Sequence, residues 1–320
     1  MNKAAIQIAD GFAVVPGQVF PVVHAASFEN THFSQPLTTY SVGWRDPANL
    51  RAMRQFLFPD VQVPRFFQFM QADAGKDFVI ESDLDRAAGA DFTRIEWTGT
   101  KQTQKVPNRG LGILVDEDDI TDGTDWQRDA VDTLMARIDR AELNAGVGLI
   151  QSAAALTAKT WDKDHFPDSD LNTLVDGSGD LIGFNPTRLA FIGGAWNVRT
   201  NALYATDTPA ASAALQADPD QVAVKAGAQR GMIINARKAS GSGKAKIGAN
   251  NVIAFHAEEG LHRNDASSTK CFWAPCANGQ KFRVLLRQVA DKAWIVIVEY
   301  YSLLAVTSTL GLKGHTVANA

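Results

Sequence analysis

Asp116-Glu117-Asp118-Asp119-Ile120-Thr121-Asp122-Gly123-Thr124-Asp125 is the stretch on which the fold of this 320-residue chain turns. An acidic run ahead of an apolar-periodic segment complements the positive end of a helix dipole, and Thr124 and Gln127 have the spacing of a capping box. Behind it Val131, Leu134, Ile138, Ala141, Ala145, Gly148 and Ser152 recur every three or four residues, a narrow seam that becomes small toward its end. The pattern predicts one helix over about 125–158, which at 1.5 Å per residue is about 50 Å long. Globular helices average about 11–12 residues, so this one is expected to span the molecule.

Upstream, residues 1–45 mix short apolar pieces with turn formers and no sustained period, which reads as an arm laid over another surface. Leu50, Met53, Phe56 and Leu57 fall at helical spacing behind Asp46, a plausible N-cap followed by Pro47, and predict a short helix stopped near Pro59. Phe66 to Met70 and Phe78 to Ile80 are strand-like around the turn chemistry of Ala74 to Asp77. From Phe92 through Gln104 the chain is rich in Thr and has almost no large apolar residue after Trp97, so it reads as an exposed ribbon. An exposed ribbon is an edge-pairing liability unless something covers it.

Downstream, Asp162 to Asp180 reads as polar and turn-rich, and Arg188 to Gly194 as a buried strand closed by two glycines, followed by a helix from Ala195. Gly231 to Ile234, Asn251 to Phe255 and Phe272-Trp273 are short strands of a second α/β unit. Phe282 to Arg287 and Ala293 to about Val306 form a strand pair around Val289 to Lys292.

Composition excludes several function classes. With 31 Lys and Arg against 35 Asp and Glu, a net charge of −4, the chain lacks the basic excess of a protein that grips nucleic acid through a broad face. Cys271 and Cys276 are too few for a secreted disulfide framework, and they are expected to be free or locally bridged. No apolar run reaches the ~18 residues of a membrane span, and the N-terminus has no signal-peptide core, so a soluble product is expected.

Motifs that could carry chemistry fail in detail. Ser240 to Ala245 imitates a phosphate loop, but Lys238 replaces the leading Gly and Ala245 the Ser or Thr, leaving a flexible strand connection. Counting back from Gly123, a calcium loop would need an oxygen ligand at Ile120 and Glu at Asp129. His256, Glu258, Glu259 and His262, with the two cysteines, are metal-ligand types but lack a zinc-site spacing. There is no G-x-S-x-G, and the paired acids Asp83/Asp85 and Asp116/Asp118 lie on polar loops. No catalytic, cofactor-binding or metal residue is nominated, and no enzyme activity is expected.

The order of these parts resembles the major capsid proteins of tailed bacteriophages. Leu57-Phe58-Pro59, Val61-Gln62-Val63-Pro64 and Lys76-Asp77-Phe78-Val79-Ile80 look like the way into that family's E-loop. Val106-Pro107-Asn108-Arg109-Gly110 through Val115-Asp116-Glu117-Asp118 looks like the way out, and Asn185 to Gly193 with Trp196 resembles the opening of the A-domain. The likeness runs from about residue 46 to 317. It implies an α+β fold: an N-terminal arm (1–45), the start of the P domain with a short helix (46–65), an extended E-loop β-hairpin (66–112), and a P domain (113–184) with a spine helix at about 125–158. An inserted α/β A-domain (185–279) and C-terminal P-domain strands (280–320) complete it.

The function so implied is self-assembly into hexamers and pentamers of an icosahedral head around double-stranded DNA, made in the host bacterial cytoplasm and ending in the virion. Scaffold, portal and decoration proteins are the further partners, DNA is contacted weakly without sequence specificity, and no membrane is involved. Phe78, Arg94, Trp97, Lys101, Lys105, Arg109, Asp116, Glu117 and Asp118 are the inter-subunit contact candidates, the cations pairing with the acids across subunits. An encapsulin-like compartment is the alternative within the fold, and a soluble α/β hydrolase or transferase the alternative outside it.

Overall fold

The computed structural model describes residues 7–9, 12–15, 18–21, 31–71, 91, 99–120, 125–206, 208–261, 265–277 and 279–319. The chain runs through β1 (Gln7–Ala9), β2 (Phe12–Val15), β3 (Gln18–Pro21), β4 (Thr31–Phe33), α1 (Gln35–Gly43), α2 (Leu50–Leu57), β5 (Asp60–Gln62), β6 (Phe66–Gln71), β7 (Thr100–Lys105) and β8 (Asn108–Asp116). The long helix α3 (Trp126–Ala153) leads into β9 (Ala155–Trp161), α4 (Pro167–Ile182), β10 (Arg188–Ile192), α5 (Ala195–Tyr204), α6 (Pro209–Leu215) and α7 (Pro219–Lys225). Eight further elements are all strands: β11 (Arg230–Ile234), β12 (Arg237–Ser240), β13 (Gly243–Lys246), β14 (Asn251–Phe255), β15 (Thr269–Ala274), β16 (Phe282–Ala290), β17 (Ala293–Val306) and β18 (Lys313–Asn319).

Two compact units result: Met1–Trp44 with Gly110–Met135 and Phe282–Glu299, and Arg45–Arg109 with Ala136–Lys281 and Tyr300–Ala320. The boundary falls within β8, α3 and β17. In the first unit β1, β2 and β3 form an antiparallel sheet, so the segment read as an arm carries strands of its own as well as α1. β4 pairs with β16, β16 with β17, and β8 with β17. Thr38 of α1 accepts a hydrogen bond from the Val284 amide at 3.0 Å, and Leu37, Val131, Leu134, Met135, Val284, Val296 and Val298 are buried.

The second unit is built on a five-stranded mixed sheet of order β11-β10-β14-β18-β9. Alternate residues feed two cores. Ile192, Ile234, Ile253 and Phe255 pack with Phe56 and Leu57 of α2 and with Leu143, Val147 and Ile150 of α3. Leu189, Phe191, Val252 and Ala254 pack with Leu171, Leu174 and Val175 of α4, with Val198 and Ala202 of α5 and with Val222 of α7. Helices on both faces explain why all five residues of β10 are buried and why the strand reads as an apolar run from Leu189 to Ile192.

Four expectations need correction. The long helix ends at Ala153, not near 158, which makes it 28 residues and about 42 Å long. Residues 155–161 instead form β9, whose Thr and Trp side chains favour extended backbone, and pair in parallel with β18 from Ala155↔Lys313 to Trp161↔Asn319. The seam also drifts after Ile138: Ala141, Ala145 and Gly148 are exposed, while Asp139, Glu142, Leu143, Val147 and Ile150 are buried. Two acids on the buried face broke the apolar pattern.

The polar segment 162–180 contains the 16-residue helix α4, started by Pro167 and closed by Gly183 in the left-handed conformation. Its buried face is Leu171, Leu174, Val175, Ser178 and Ile182, and glycine at 179 admits the Asn185 carboxamide oxygen 3.0 Å from where a Cβ would stand. Helix α2 begins at Leu50 rather than at Pro47, with Asn49 as its N-cap residue in the left-handed region. Asp46 still serves that helix from a turn earlier, accepting from the Ala48 amide at 2.9 Å and the Arg51 amide at 3.1 Å.

Candidate assembly surfaces

Among the described residues β6 and β7 pair only with each other, from Phe66↔Lys105 to Gln71↔Thr100. Side chains alternate across a strand, so the ribbon has two unlike faces. Phe67 and Phe69 lie on one face, their ring centroids 4.5 and 5.5 Å from that of Phe272, and fix the root of the ribbon to β15. Arg65 stacks on Tyr301 at 4.1 Å, and the Val106 amide donates to the Arg65 carbonyl at 2.9 Å.

The other face carries Phe66, Gln68 and Met70 opposite Lys105, Thr103 and Lys101. Phe66 is 68% exposed, with the Lys105 ammonium 5.3 Å from its ring centre. Gln68 donates to Thr103 at 3.2 Å. A two-stranded ribbon is marginal in water, and an exposed phenylalanine opposite Lys105, with Lys101 opposite Met70 further along, makes this face one that gains by being covered.

Of the predicted contact residues, Lys101 and Lys105 come together on this open face, and Arg109 is exposed on β8. Phe78, Arg94 and Trp97 lie outside the described residues, as does Thr124 of the expected capping box. The acidic turn sits in the first unit. Asp116 caps a single 3-10 turn, Glu117–Asp119, by accepting from the Asp118 amide at 3.1 Å. Asp118 pairs with Lys292 of its own chain at 3.1 Å, both largely exposed, an arrangement worth little by itself.

The best-built charged cluster is one that the pattern of residues did not suggest. Arg51 and Arg54 of α2 face Asp139 and Glu142 of α3 in matched pairs, Arg51 to Asp139 at 3.2 Å and Arg54 to Glu142 at 3.5 Å. Arg54 also donates through both terminal nitrogens to Asp60 on β5, which accepts from Lys281 at 2.9 Å. Ser302 of β17 donates to Glu142 at 2.7 Å. Burial alone would raise the Asp60 carboxyl, but the charges of Arg54 and Lys281 reverse this and hold it well below the usual carboxylate range. Asp139, whose burial outweighs its bond to Arg51, is shifted upward. Arginine and acid pairs at the same i, i+3 spacing on two helices were the available signal.

Cys271 and Cys276 are buried thiols that form no disulfide, and burial pushes that of Cys271 up to about 12. His256 lies 3.5 Å from Glu258, and no group of three or more metal-ligating side chains occurs among the described residues.

No protein-family model and no curated protein matches the chain. Solved structures do. A phage-related protein of Bordetella bronchiseptica is 17% identical, with a TM-score of 0.64 over 89% of this chain and 96% of that one. The capsid protein of the cyanophage P-SCSP1u is 9% identical, with a TM-score of 0.50 over 83% of this chain and 88% of that one. The chain thus has the α+β fold of tailed-phage major capsid proteins.

Proposed function

We propose that this chain is a major capsid protein that assembles into hexamers and pentamers of an icosahedral phage head around double-stranded DNA. The observation that carries the reading is the β6–β7 ribbon, rooted on Phe272 and open on its Phe66, Lys101 and Lys105 face, within a capsid fold. In this reading 66–112 is the E-loop and lies over a neighbouring subunit. Phe78, Arg94, Trp97, Lys101, Lys105 and Arg109 supply the contact, and Asp116, Glu117 and Asp118 receive cations from an adjoining copy. A standard contact buries about 800 Å² per partner, which a ribbon of this kind reaches only with a neighbour. Scaffold, portal and decoration proteins are the remaining partners, and the role is mechanical rather than catalytic.

Electron microscopy of the purified chain, with sedimentation across protein concentration and salt, tests this. Closed shells or capsomer rings are expected. A monodisperse monomer under every condition would contradict it, and shells that enclose protein instead of DNA would place the chain with encapsulin-like compartments.

A further inference from the structure

The segment 237–246 is a β-hairpin, β12 paired with β13, and not a nucleotide loop: no helix follows Lys244. The pairing sets Arg237 directly opposite Lys246 and Ala239 opposite Lys244, so Arg237, Lys244 and Lys246 share one face. Like charges directly opposite across a strand pair are destabilising, and the hairpin carries no acid to relieve them. At the tip, Gly241 has no atom within 4 Å of the place a side chain would take, and its φ of 56° lies in the left-handed region.

Beside the hairpin lies a cleft of about 480 Å³ lined by Arg140 of α3, Asn235, Arg237, Lys238 and Lys244 among others. None of its lining residues is acidic, and all four cations are exposed. The nearest acids in sequence are engaged elsewhere: Asp139 with Arg51, and Asp46 with the amides that open α2. In a chain of net charge −4, four converging cations with an amide donor and no carboxylate form a site for an anion with several oxygens. Two of them are arginines, whose planar fork matches a phosphate.

We infer that this cleft, Arg140 with the β12–β13 hairpin, binds the phosphate backbone of double-stranded DNA without reading its sequence. The assignment rests on the proposed function and gives it a place of contact. It also reconciles an acidic chain with a DNA-lined interior: attraction is confined to a few phosphates per subunit. Four neutralised phosphates give a slope of about −3.6 in log affinity against log salt, a loss of about 150-fold between 50 and 200 mM.

Fluorescence anisotropy of the full chain with two 30-base-pair duplexes of unrelated sequence is the test, over 50–200 mM salt, beside polyglutamate and anionic vesicles. Both duplexes are expected to bind alike. The variant R237Q/K238Q/K244Q should flatten the slope by about 2.7, whereas K163Q/K225Q, exposed lysines elsewhere, should leave it unchanged. A wild-type slope in the folded triple variant, an equal flattening in the control, or polyglutamate or vesicles bound as tightly as DNA would each overturn the assignment. Electron microscopy of the same samples separates the two claims. Particles with an unchanged slope retire the cleft alone, while a flattened slope without particles supports the cleft and retires the shell.

Discussion

Arg54 and Glu142 meet at 3.5 Å with 2% and 5% of their side chains exposed, so a charge from α2 and a charge from the middle of the long helix are buried against each other. Asp60, Lys281 and Ser302 complete the cluster, which thereby ties together α2, α3, β5 and β17. Breaking such a cluster from one side strands the remaining charges. Arg54→Leu should therefore destabilise by about 3–5 kcal/mol, read as a lower denaturant midpoint with an unchanged slope. The triple replacement R54M/D60L/E142L, which removes the charges together, should recover most of that loss. Equal loss in both variants would mean that the cluster acts through packing and not through charge.

Acidification should weaken the fold in two steps. Burial lowers the pKa of His256 and His315 from 6.5. A depressed histidine stays neutral when folded while the unfolded chain takes up the proton. Its contribution is present above about pH 6.5 and is lost as pH falls through the folded value. Asp60, also depressed, contributes above its ordinary 3.8 and is lost only below that. Thermal melts between pH 7.5 and 4.5 should show a decline beginning near 6.5, flattened in His256→Gln/His315→Gln. An unchanged profile in that variant would assign the decline to other groups.

Gly311 takes a φ of 66°, and a Cβ there would fall against the Ile182 side chain. Gly311→Ala should destabilise by about 1–3 kcal/mol through strain and overpacking. Pairing it with Ile182→Val should restore part of the loss, checked by chemical denaturation.

Phe66 is 68% exposed, with its ring beside the Lys105 ammonium, so Phe66→Ser should shift unfolding by no more than about 0.5 kcal/mol. Assembly should fall sharply, as it should for Lys105→Glu. Particle yield by sedimentation, set beside the melting curve, separates the two effects; intact yield would remove Phe66 from the contact.

The parts of the fold that were legible are those in which one physical signal dominates. Leu189 to Ile192 is an apolar run because helices cover both sheet faces, and Phe66 to Met70 reads as a strand whose Phe67 and Phe69 pack on Phe272. The helix at α4 was missed because Gly177, Ser178 and Gly179 look like a turn, whereas they sit where Lys313, Asn185 and Gly311 approach closely. The second half of the long helix was misphased because Asp139 and Glu142 lie on its buried face. Their partners, Arg51 and Arg54, are 88 residues away in both pairs. Of the candidate contact residues, Lys101 and Lys105 read as exposed in the sequence; that Phe66 lies directly opposite Lys105 follows only from the register.

The central claim is that the β6–β7 ribbon works between subunits. A cryo-electron-microscopy reconstruction of assembled particles tests it most directly. The account predicts density for the Phe66, Lys101 and Lys105 face against the surface of a neighbouring copy; particles in which that face packs on its own chain or meets only solvent would contradict it.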